Sequence, residues 1–152
     1  GKSGIRSVFE AETNQFATSW AEELKKDFVS LEKASGHAGK TIATTNATPT
    51  VIGTYAMATN SRLYVLRCSV LAVGDTLAQS ALYDVTVAYS RSSGGALTNR
   101  VASVTTVYET TAGFNVTQAN VGNNLEISVT GAAATNLRWH VMQERFWEME
   151  YT

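Results

Sequence analysis

The sequence predicts a mainly β protein, an antiparallel β-sandwich or jelly-roll-like head preceded by one long N-terminal α-helix. Three observations predict it. Roughly half of the charged residues fall in the first forty positions, where large apolar side chains recur three, four or seven apart. Beyond Lys40 the apolar residues alternate with period two. Clusters of Gly, Asn and Ser then cut that alternation into short segments with no second helical stretch between them.

In the first part, Phe9, Phe16, Trp20, Leu24, Phe28 and Leu31 line up along one side of a helix expected over residues 5–34. Glu22, Glu23, Lys25, Lys26, Glu32 and Lys33 take the remaining surface. Ser35-Gly36 supplies the stop, because glycine tolerates the left-handed conformation that closes many helices. One helix cannot bury an aromatic stripe against itself, so the stripe is expected to pack on the head or on identical helices of other subunits. Its spacing is nearer ~3.7 than the ~3.5 residues of a left-handed coiled coil, which suits a straight or right-handed bundle as well as a heptad coil.

Strands are expected at residues 41–45, 50–56, 61–73, 82–91, 97–109, 114–118, 124–130 and 136–149. Leu63, Val65, Arg67, Ser69 and Leu71 share one face of the third, and Tyr64, Leu66, Cys68, Val70 and Ala72 the other. Tyr83, Val85, Val87 and Tyr89 form a face of the fourth; Leu125, Ile127 and Val129 one of the seventh; Leu137, Trp139 and Val141 one of the last. Turns are expected at Gly74-Asp75, Ser92 to Gly95, Gly113, Gly122 to Asn124 and Gly131, and Pro49 suits a sheet edge. The chain therefore divides into residues 1–40, a helix and linker for attachment or trimerisation, and residues 41–152, the β-sandwich head.

Composition narrows the function classes. The 152 residues are 44% hydrophobic, enough for a packed core, and the net charge of -1 gives no pull toward nucleic acid or an anionic membrane. Apolar runs such as Val70 to Val73 fall far short of the ~20 residues of a membrane-spanning helix, so a soluble protein is expected. No charged segment followed by an apolar stretch marks a secretory signal. Cys68 is the single cysteine and has no disulfide partner within the chain.

Sites of chemistry are scarce. Ala34 to Thr41 ends like a phosphate-binding loop in Gly39-Lys40-Thr41, but Ala34 stands where its first glycine belongs. The order helix, loop, strand also denies an anion the helix N-terminus it needs. His37 and His140 lack metal-ligand spacing, so no metal and no cofactor is expected. Cys68 alternates with Leu66 and Val70 as a small core residue, not as a nucleophile. Asp75, Asp84, Glu109 and Glu126 are scattered over different strands and turns, and no enzymatic activity is expected from them. Arg138-Trp139, Arg145-Phe146-Trp147 and Tyr151 could stack on sugar rings or bury in a subunit interface, and Arg, Trp and Tyr are frequent interface anchors. The interface candidates are the helix stripe together with Trp139, Phe146 and Trp147.

Thr44 to Ile52 (TTNATPTVI) and Val129 to Trp139 (VTGAAATNLRW) resemble the start and end of a β domain of tailed-phage tail-fibre, head-fibre and decoration proteins. Tyr64 to Ala72 and Ala81 to Val85 resemble its long strand and the next strand along. The likeness spans about residues 41–143 and leaves the N-terminal segment outside. It implies a β head on a homotrimeric fibre or decoration protein of the virion, bound to capsid, tail or baseplate proteins, with no cofactor and no catalytic residue. The alternatives are a receptor-binding fibre tip that takes host surface glycans and a fragment of a polysaccharide depolymerase. A depolymerase would need paired carboxylates about 5–10 Å apart in a groove.

Overall fold

The computed structural model describes residues 40–76 and 78–151, which belong to one compact unit, Gly39–Thr152. Eight strands form: β1 (Thr41–Thr44), β2 (Thr50–Ala56), β3 (Arg62–Gly74), β4 (Ser80–Arg91), β5 (Leu97–Glu109), β6 (Asn115–Val121), β7 (Asn124–Thr130) and β8 (Leu137–Glu150). They make two antiparallel sheets, one in the order β1-β8-β3-β4-β5 and one in the order β2-β7-β6. The fold class expected from the sequence is thereby corrected: the described residues are all β, with no helix among them. The long strands β3, β4 and the first half of β8 carry the two-residue alternation, which buries one face of a strand and would scatter its apolar residues around a helix, and β5 is held as a strand by its pairing along β4. The helix expected over 5–34, and with it Phe9, Phe16, Trp20, Leu24, Phe28 and Leu31, lies outside the described residues.

The jelly-roll part of the expectation is corrected too. A jelly roll sends consecutive strands back and forth between its sheets. Here the links 75–79 and 92–96 are short, and β3, β4 and β5 are nearly equal in length, so they pair as a meander within one sheet. The chain changes sheet between β1 and β2, β2 and β3, β5 and β6, and β7 and β8. At the last crossing, Gly131 lies so close to Thr44 that a Cβ there would come within 2.6 Å of its hydroxyl. Only glycine lets the β7–β8 link pass beside β1.

The core lies between the sheets. Tyr64, Leu66, Val70, Tyr83, Val85 and Val87 of the larger sheet face Leu125, Ile127 and Val129 of the smaller one, all buried. Fully buried toward the end of the sandwich where β3 turns into β4 sits Trp139, whose indole Nε1–H donates to the Thr44 hydroxyl at 2.9 Å. Tyr83 stacks against the Trp139 ring and Phe114 meets it edge-on, both with centroids 6.3 Å away. An indole has one donor to satisfy when it leaves water, and Thr44 satisfies it.

A candidate interaction surface on the larger sheet

The sheets differ in width, and that difference places the site. Three strands cover five, and β5, at the edge, runs past the cover. The register puts Ala102, Val104 and Thr106 opposite the buried Val87, Val85 and Tyr83, on the inward face, yet Ala102 and Thr106 are exposed. On the outward face Val101 and Tyr108 are exposed as well, and Val107 is 50% exposed. None of the thirteen residues of β5 is fully buried. Two bulges, at Val107 and Arg100, each put an extra residue of β5 against β4. Bulges twist a sheet edge away from a regular neighbour, so β5 offers its side-chain faces rather than a backbone row for another strand.

The outer face of the same sheet can be read rung by rung from the register. Trp147, Val65, Ala88 and Val101 stand side by side on β8, β3, β4 and β5, a row of apolar side chains on the face away from the core. Trp147 is 43% exposed, and Met149, next to Leu63 on the adjacent rung, is 68% exposed. One rung in the other direction, Arg145 and Arg67 oppose each other directly, both exposed.

A bulge in β8 creates that pairing. Between Ser69 and Arg67 the register against β8 jumps from Met142 to Arg145, with Gln143 at φ 51°. The extra residue inverts the facing of the rest of the strand, so Glu144 and Phe146 turn inward while Arg145 and Trp147 turn outward. Phe146 then stacks on Tyr64 at 5.9 Å and tilts against Tyr55 at 5.2 Å. Glu144 is buried and accepts a hydrogen bond and ion pair from the Lys40 ammonium at 2.6 Å, and Lys40 lies 3.9 Å over the Tyr55 ring. Lys40, read in sequence within a phosphate-loop-like run, is thus engaged with a carboxylate beside the core. Burial first, and then the Glu144 charge, pushes the Tyr55 phenol up, and the same two causes push the Cys68 thiol up to about 12.

Of the sequence-chosen residues on described strands, Trp139 is inside the sandwich, Phe146 packs against the core, and Trp147 reaches the surface. The structure does not gather the carboxylates. Asp84 is on the outer face, where Ser69 donates to it; Glu109 accepts from the Tyr83 hydroxyl at the β5 edge; Asp75 accepts from Asn136 at a turn; Glu126 is on the smaller sheet. Burial, then the hydrogen bond to Glu109, raises the Tyr83 phenol. Among the described residues, no three of His, Cys, Asp and Glu converge as metal ligands would. The Arg67/Arg145 pair escaped sequence reasoning, because nothing in the order of residues announces the Gln143 bulge.

No family model matches the chain, and no curated protein matches it. Among solved structures, the tailspike protein of Acinetobacter baumannii phage AM24 is similar at a TM-score of 0.30 and 6% identity, over 72% of this chain and 28% of that one. So distant a likeness carries no argument about function.

Proposed function

We propose that this chain is a structural, non-enzymatic protein of a tailed-phage virion, a homotrimeric fibre or decoration protein that presents a β head. The observation that carries the proposal is β5, a long edge strand of which Leu97 and Val104 reach the core while Val101, Val107 and Tyr108 stay exposed. An isolated sandwich gains nothing by extending an apolar strand beyond its partner sheet, whereas neighbouring subunits would cover it. The runs from Thr44 to Ile52 and from Val129 to Trp139, which resemble phage fibre and decoration domains, point the same way. In this reading the partners are two further copies of the chain and capsid, tail or baseplate proteins, and the place of work is the virion. The test is the solution mass of the full chain by light scattering, where a trimer supports the reading and a monomer refutes it. A second reading, a receptor-binding tip for host glycans, is favoured by the exposed Trp147 beside two arginines.

A further inference from the structure

We propose that the outer face of the five-stranded sheet binds an acidic saccharide, with its carboxylate held between Arg67 and Arg145 and its ring laid on Trp147. The inference deepens the glycan-binding reading and does not depend on the number of subunits.

Like charges placed directly opposite across two strands destabilise a sheet, yet Arg67 and Arg145 are so placed. Neither has a carboxylate within 4.0 Å among the described residues. Their juxtaposition depends on Gln143, a residue with a Cβ held in the left-handed region. A strained bulge that assembles a mutually repelling pair is a local cost that a bound anion would repay.

The wider face complements an anion. Arg138 also projects outward, and Arg100 reaches this face to donate to Ser90, whereas Asp84 is the carboxylate on these rungs. Asp75 lines the same cavity as Arg138 at the end of the sheet, so the excess of positive charge is centred on Arg67 and Arg145. Planar guanidinium groups grip a carboxylate through paired N–H donors, more specifically than ammonium groups do.

Trp147 decides between a bare anion and a sugar. It stands two residues from Arg145 on the same face, with its indole exposed and Val65 alongside as an apolar floor. A pyranose has an apolar C–H face that stacks on an indole and leaves water, while an acidic peptide offers no such ring. The flat surface suits a chain of sugars lying across the strands rather than a small molecule enclosed in a pocket.

Calorimetric titration of the full chain with tetragalacturonate, a tetramer of α2,8-linked sialic acid, and hyaluronan oligosaccharides tests the proposal, with methyl-esterified tetragalacturonate and poly-glutamate as comparators. At least one acidic saccharide is expected to bind and to weaken at least tenfold in Arg67→Gln, in Arg145→Gln and in Trp147→Ala. The esterified sugar and poly-glutamate are expected to bind at least tenfold more weakly than that saccharide. The two arginine variants are expected to melt no lower than the parent, because each relieves a repulsion. Failure of all three acidic saccharides to bind, equal binding of poly-glutamate, indifference to Trp147→Ala, or a lowered melting temperature in both arginine variants would each overturn it. The light-scattering mass is read separately, so loss of the trimer and loss of saccharide binding remain distinct results.

Discussion

Thr44 and Trp139 lie 95 residues apart in sequence and share one buried hydrogen bond inside the sandwich. Thr44→Val keeps the shape and strands the indole donor, at an expected cost of about 1–3 kcal/mol in denaturant unfolding. Period-two alternation groups Trp139 with Leu137 and Val141 in the sequence, but that this face lies against a second sheet is a long-range fact that alternation does not carry. Lys40 and Glu144 pose the same problem, being 104 positions apart. Lys40→Met takes the ammonium from a buried carboxylate and should destabilise toward the low end of ~3–5 kcal/mol, since the Lys40 side chain is itself about a quarter exposed. The double variant Lys40→Met, Glu144→Leu should recover most of that loss, and thermal melts of the three proteins check it. Cys68 gives a pH signature. Its thiol is raised from an ordinary 9.0 to about 12, so between those values the folded state keeps a proton that the unfolded chain has released. Its contribution to stability is therefore complete below about pH 9 and lost as pH rises toward 12. Denaturant titrations across that range should show a shallower decline for Cys68→Ala than for the parent, with the raised Tyr55 and Tyr83 phenols sustaining what decline remains.

At the scale of elements, the alternation of Tyr64 to Ala72 and of Tyr83 to Tyr89 is enough to place β3 and β4, because each strand buries one face and the pattern records it. The break in β8 is not legible. No glycine marks Gln143, and two-residue counting carried through it would send Phe146 outward and Trp147 inward. The meander of β3, β4 and β5 is hidden for another reason, since sequence gives strand lengths and turns but not which sheet a strand joins. The exposure of β5 comes from that topology, and it makes a sharp prediction. Val101→Lys with Val107→Lys should change the folding stability of an isolated subunit by no more than about 0.5 kcal/mol per site, as surface substitutions usually do. The same pair should reduce the solution mass, if β5 is where subunits meet. Chemical denaturation at low protein concentration and sedimentation at high concentration separate the two effects.

For the whole molecule, the proposed assembly answers to the unequal sheets, whose exposed edge strand β5 other subunits would cover. The eight strands are legible in the sequence, while the surfaces proposed for assembly and binding arise from sheet width and one bulge, which the order of residues does not announce. The most direct measurement is multi-angle light scattering of the full chain, carried down to nanomolar concentration by analytical ultracentrifugation with fluorescence detection. A trimeric fibre or decoration protein predicts a particle of three times the 16.3 kDa chain mass that persists on dilution and is lost in the Val101→Lys, Val107→Lys variant. A folded monomer of 16.3 kDa at every concentration, unchanged by those substitutions, would contradict it.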